Sequence, residues 1–202
     1  MLSAQPTSLG VQIREPVVSW CEPLEEYPAA SAGAAELRAA MRTFATGVAV
    51  ATTYRDGPGG RDHDAVTVNS LCSLSLRPPL VSIALRSDSS FGAALAESGV
   101  WAVSILDGRS HRIAQLFARD HHRRAAALAE VSSRPGRRIG ALVFDAAGWL
   151  ECRLAHRFPV GDHTLFVGEV LAAGARATGS RLAFLHGAFH VLDVPDPEGD
   201  LR

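Results

Sequence analysis

Residues 47–86 read GVAVATTYRDGPGGRDHDAVTVNSLCSLSLRPPLVSIALR. Apolar and polar residues alternate with a period close to two over Val48–Tyr54, Asp64–Leu76 and Leu80–Arg86. The Gly/Pro cluster Asp56–Gly60 and the pair Pro78-Pro79 punctuate them. The spacing predicts three consecutive strands. Connections this short suit antiparallel neighbours, because a parallel pair needs a crossover of a dozen or more residues. In the middle strand Val66, Val68, Cys72, Leu74 and Leu76 form an apolar face expected to feed the core. Thr67, Asn69, Ser73 and Ser75 form the opposite face, rich in hydrogen-bonding groups and free of charge. Such a face suits either a solvated exterior or a surface against a neutral ligand.

Upstream, Leu37, Ala40, Met41 and Phe44 lie at i, i+3, i+4 and i+7, with Ser31 before and Gly47 after, which predicts a helix over Ala34–Phe44 whose stripe covers a sheet. The first 33 residues, proline-rich and acidic at Glu22, Glu25 and Glu26, read as a flexible arm. Downstream, helices fit Ser89–Glu97 and Ser110–Ala118, and strands fit Val100–Leu106, Gly148–Phe158, Thr164–Leu171 and Ala183–Leu192. Residues 119–138 resist assignment. Six or seven strands with few helices predict a mainly β fold, an antiparallel barrel occupying 34–192, followed by a tail over 193–202.

The 202 residues carry 20 basic and 21 acidic groups, for a net charge of -1. This balance argues against nucleic-acid or anionic-membrane partners, which are held by an excess of cations. All the basic residues are arginine, so Schiff-base and Walker-type lysine chemistry is excluded. A chain this long buries roughly 70% of its unfolded surface and needs neither disulfides nor metals for a core. Cys21, Cys72 and Cys152 are widely spaced, form no Cys-x-x-Cys pair, and read as buried or unreactive thiols. With no export signal in Met1–Gln12 and no run of 18 apolar residues, the expectation is a cytoplasmic protein.

Two places suggest chemistry. Arg86, Ser87, Ser89 and Ser90 flank a helix start, where hydroxyls beside unpaired amides hold a phosphate. Plain N-capping explains one serine equally well. His163 sits at a turn beside Asp162, a carboxylate placed to orient it. His186 and His190, read as one strand, would stand about 13 Å apart and make no metal pair. His121 and His122 read as a solvated face.

The stretches LRAAMRTFATGVAVATTY (37–54), TVNSLCSLSLRPPLVSIAL (67–85), the serine cluster, LECRL (150–154) and GDHTLFVGEVL (161–171), in this order, resemble the flavin reductase family, the reductase components of two-component flavin monooxygenases. The resemblance covers about residues 36–192. It implies a split antiparallel Greek-key β-barrel working as a homodimer, which binds FMN or FAD, reduces it with NADH or NADPH, and releases it to a partner oxygenase. By position it makes Thr67, Val68, Asn69 and Ser70 the contacts to the isoalloxazine, and Ser87, Ser89 and Ser90 the contacts to the flavin phosphate. Ser104, Gln115 and Phe117 follow as further cofactor contacts, and His163 as the residue of nicotinamide binding and hydride transfer. No metal is implied. Ala65-Val66, where relatives often carry Gly-Met, and His186, where many carry arginine, depart from the pattern. A flavin carrier or redox sensor of the same barrel is the alternative. An oxidase of the pyridoxamine-phosphate type fits less well, since such enzymes hold FMN with lysine as well as arginine.

Overall fold

The computed structural model describes residues 32–176 and 179–193. The expected arm over 1–33 and the tail over 193–202 lie almost wholly outside these residues, as does Cys21. The elements, in order, are α1 (Ala34–Met41), β1 (Thr46–Gly47), β2 (Ala49–Gly57), β3 (Gly60–Val68), β4 (Cys72–Leu76), β5 (Pro79–Arg86), α2 (Ser90–Ser98) and β6 (Val100–Ile105). A single 3-10 turn, Gly108–Ser110, leads into α3 (His111–Phe117) and α4 (His121–Leu128). They are followed by β7 (Ser133–Pro135), β8 (Leu142–Phe144), β9 (Gly148–Val160), β10 (His163–Ala175), β11 (Arg181–Leu185) and β12 (Ala188–Leu192).

Seven strands form the main sheet in the order β3-β2-β6-β9-β10-β5-β4, every neighbour antiparallel. Its two edges, β3 and β4, are consecutive in the chain, so the sheet curls into a barrel left open between them. At that corner Ser70 replaces a ladder rung. Its Oγ donates to the Ala84 carbonyl (3.0 Å) and accepts from the Ala84 N–H (3.1 Å) on β5. The chain therefore breaks at Asn69–Leu71, and the single strand expected over Asp64–Leu76 is two strands. This also corrects the expected core face. Cys72, Leu74 and Leu76 on β4 point outward, Leu76 at 84% exposure. Cys72 is an exposed thiol. Cys152 is buried, and that burial pushes its thiol up to about 12.

The barrel interior is filled by Ile83, Phe91, Leu95, Trp101, Val103, Leu154 and Phe166, with α2 contributing Phe91 and Leu95. Each such large side chain contributes about 1.5–3 kcal/mol by leaving water. α2 starts where the Ser89 hydroxyl accepts from Gly92 N–H (3.2 Å), and it stops at Gly99 in the left-handed conformation (φ 68°). β2 is buried on both faces. Ala49 and Ala51 face the barrel, whereas Val48 and Val50 face a second cluster with Ala114, Phe117, Ala127, Phe144 and Leu182.

Two further expectations are corrected, and the unassigned region is filled. Ala183–Leu192 is not one strand. His186 (φ 52°) and Gly187 (φ 81°) form the two-residue turn of the β11–β12 hairpin, whose positive φ values match the twist of such hairpins. The unassigned region holds α4 and β7. Among the described residues the stripe leading from α1 is left largely uncovered: Leu37, Met41 and Phe44 are all more than half exposed. No helix among the described residues is long and apolar enough to cross a membrane.

Candidate functional site

Between the end of β3 and the end of β5 lies a groove of about 850 Å³. This lies within the range of natural ligand sites. One wall is strand: Val66–Ser70 at the end of β3, Ala84–Arg86 at the end of β5, and His163 at the start of β10. Asp88, Ser89 and Ser90 close one end at the N-terminus of α2, and Ala118–His121 with Arg124 form the helical wall.

Thr67, Val68, Asn69, Ser70, Ser89, Ser90 and His163, gathered from four separate elements and turns, thus share one cavity. Their hydroxyls are not equally free. Thr67 Oγ1 donates to the Ala114 carbonyl of α3 (2.7 Å), Ser70 is bound to Ala84, and Ser89 caps α2. Asn69 is exposed, with an amide donor and acceptor at the groove, and it continues into an apolar cleft of about 380 Å³ beside Met41, Phe44, Phe184 and His186. Val68 lines the groove but is almost fully buried, its side chain part of the barrel core.

Four expected contacts are placed elsewhere. Ser87 is exposed but not part of the groove lining. Ser104 is fully buried, its Oγ accepting from Phe144 N–H (3.0 Å) to tie β8 over β6. Phe117 is a core residue packed 5.2 Å from the Phe144 ring, and Gln115 is exposed on the outer side of α3.

His163, paired with Arg86 across β10 and β5 and so close to Asp88, holds its Nδ1 2.7 Å from Asp162 Oδ1, and this hydrogen bond keeps the Asp162 carboxyl below the usual carboxylate range. With Nδ1 engaged, Nε2 is the ring nitrogen left for a ligand. Beside it Arg86 grips Asp88 with two hydrogen bonds (2.9 and 2.7 Å), which lowers the Asp88 carboxyl likewise. The helical wall, which the residue pattern alone did not point to, carries Arg119, Asp120, His121 and Arg124; His121 is exposed as expected, and its Nδ1 also lies 3.3 Å from buried Asp64.

The donor set fits a flavin. An extended groove with amide and hydroxyl groups on a strand wall suits the polar edge of an isoalloxazine, and a helix N-terminus with Ser89 and Ser90 at one end suits a phosphate.

Comparison with known proteins agrees with this geometry. Residues 41–193 match the model of the flavin reductase like domain. An NADH-dependent FMN reductase of Streptomyces nodosus subsp. asukaensis is 38% identical over 168 residues, covering 81% of this chain and 87% of the relative. The crystal structure of the flavin reductase component of a bacterial two-component tryptophan halogenase superposes with a TM-score of 0.73 at 32% identity, covering 81% of this chain and all of the other. An NADH:FAD oxidoreductase of Streptomyces globisporus, solved with NAD and FAD fragments, gives 0.70 at 32% identity and covers 82% of this chain and 94% of the other.

Proposed function

The chain belongs to the flavin reductase family, and we propose that it reduces FMN or FAD with NADH or NADPH and hands the reduced flavin to a separate oxygenase. The observation that carries this reading is the convergence of Thr67–Ser70, Ser89–Ser90 and the Asp162–His163 pair on one groove between the ends of β3 and β5. When bound, the flavin supplies the hydride acceptor and the nicotinamide the donor. The protein's part would be to hold both cofactors in the groove and bring their reacting rings together, which is where the rate gain would arise. In this arrangement Asn69 and the backbone of Val68 hold the isoalloxazine edge, Ser89 and Ser90 the phosphate, and His163 Nε2 the carboxamide end of the nicotinamide. Asp162 keeps that ring turned toward the groove. Because few charges are spent on the flavin, it is bound modestly enough to leave.

The working unit is a homodimer formed by the 34–192 domain. Its support is the apolar surface left exposed among the described residues, Leu37 and Met41 on α1, Phe44 just after it, and Leu74 and Leu76 on the edge strand β4. The recipient is an oxygenase of a two-component system, and the compartment is the cytoplasm. A flavin carrier would need no oriented imidazole at the groove.

The test is His163→Ala. Flavin affinity, followed by fluorescence quenching, stays at the parent value, while the specificity constant for the nicotinamide falls roughly tenfold to a hundredfold, the equivalent of one lost positioning contact. A variant that reduces flavin at the parent rate would remove His163 from the mechanism.

A further inference from the structure

Three arginines line the groove, and they are not equivalent. Arg86 is spent on Asp88 through its two hydrogen bonds. Arg124 is spent on Asp64: its Nε and Nη2 donate to Oδ1 (3.3 Å each) and its Nη2 also to Oδ2 (3.2 Å). Asp120, the remaining carboxylate of the lining, pairs with Arg123 (3.4 Å) and caps α4 through Arg123 N–H. Among the described residues Arg119 alone of the lining arginines has no acidic partner. The groove therefore presents one uncompensated cation.

Arg119 is exposed on the turn between α3 and α4, where a long side chain would ordinarily wander. Its backbone is fixed. Arg124, only 10% exposed in its side chain, donates Nη1 to the Arg119 carbonyl (3.1 Å) while its fork holds Asp64, 6% exposed, on β3. A buried ion pair is weak evidence of stability, because desolvation offsets most of its attraction. What this one does is join the helical wall to the strand that carries Thr67–Ser70.

We infer that Arg124 is a positioning residue, clipped to Asp64, that holds the α3–α4 turn so that Arg119 is the cation meeting the flavin phosphate in the groove that contains Ser89 and Ser90. The inference rests on the flavin reading above and adds a selectivity to it: the groove prefers a phosphate-bearing flavin over riboflavin, and most of that preference passes through Arg119 and Arg124. A guanidinium suits the task, because its planar fork matches a phosphate.

The experiment compares dissociation constants for FMN and riboflavin, by flavin fluorescence quenching, in the parent, Arg119→Gln, Arg124→Lys and the double variant Asp64→Asn/Arg124→Met. The double variant removes both buried charges together and so leaves neither uncompensated. Arg119→Gln should lower the FMN-to-riboflavin affinity ratio roughly tenfold to a hundredfold, the usual range for a lost charge-assisted contact. The double variant should lower the ratio comparably with riboflavin affinity nearly unchanged, and adding Arg119→Gln to it should lower the ratio little further. Arg124→Lys, which keeps the charge beside Asp64 but lacks the fork, should fall between. A merely structural clip would reduce the melting temperature and leave the ratio alone, and that result overturns the inference. A parental ratio in Arg119→Gln, whose exposed position makes misfolding no explanation, overturns it equally. A parent protein that binds neither flavin overturns instead the function on which it rests.

Discussion

Ser89 and Ser90 adjoin each other at the start of α2, yet the structure gives them different work, and single substitutions separate the two. Ser89 Oγ accepts from Gly92 N–H at 3.2 Å, so Ser89→Ala leaves a helix-start amide unpaired. Losing such a cap costs about 1 kcal/mol, which in a protein of this size lowers the melting temperature by about 2–4 °C. Ser90 is the first helical residue, exposed, and its hydroxyl makes no hydrogen bond among the described residues. Ser90→Ala should thus leave stability unchanged or raise it by a few tenths of a kcal/mol, since alanine is the better helix former. Its hydroxyl is free to meet a phosphate, and a hydrogen bond to a charged group contributes about 1.5–3 kcal/mol, so its loss should weaken FMN roughly tenfold or more. Thermal melts of the apoprotein and parallel titrations with FMN and riboflavin read both quantities. Riboflavin should bind Ser90→Ala as it binds the parent. Equal losses for the two ligands, or none for FMN, would refute the placing of the phosphate at α2.

Other parts of the molecule make equally direct predictions. Gly168 of β10 lies flat against Trp101, and a Cβ there would come within 2.7 Å of the indole, so Gly168→Ala should destabilise by about 1–3 kcal/mol in urea melts. Glu151, 1% exposed, accepts from the amides of Arg137, Arg138 and Ile139 (3.0, 2.8 and 3.0 Å). Glu151→Gln, which sets an NH2 against those donors, should cost about 2–3 kcal/mol without changing flavin affinity. Burial, aided by the neighbouring Arg61 charge, holds the His63 imidazole below its ordinary 6.5. Above that pH neither state carries the proton. As pH falls below it, the unfolded chain takes up a proton that the folded one refuses, and stability declines. His63→Phe should flatten the stability profile just below pH 6.5, and an unchanged slope would exclude His63 as a source of it.

How far the residues alone reveal this architecture differs from element to element. β2, β5, β6 and α2 were legible because each pairs a clear period with a strong stop, as Gly99 does for α2. The break at Asn69–Leu71 was hidden, since Val66, Val68, Cys72, Leu74 and Leu76 keep their even spacing across it while the bond from Ser70 to Ala84, fourteen residues away, makes the corner. The β11–β12 turn was hidden because His186 adopts a positive φ rarely populated outside glycine. α4 has no apolar stripe to detect. It is anchored by Arg124 on Asp64, sixty residues earlier, a pairing that no local pattern announces. The same gap bears on the groove lining: Thr67 and Asn69 on the polar face and Ser89 and Ser90 at the start of α2 stand out by type and spacing, Val68 and Ser70 only through the family resemblance, and Arg119 through neither. α1 failed in the opposite sense. Its stripe is real, but the described residues leave it largely uncovered.

The central claim is tested most directly by the steady-state oxidation of NADH and NADPH by the purified protein, followed through the absorbance of the reduced nicotinamide, with FMN, with FAD and with no added flavin. The account predicts oxidation that rises with added flavin and saturates, and that is abolished when bound flavin is first stripped and none is returned. No flavin-dependent oxidation with either nicotinamide, by protein that nevertheless binds flavin, would contradict it.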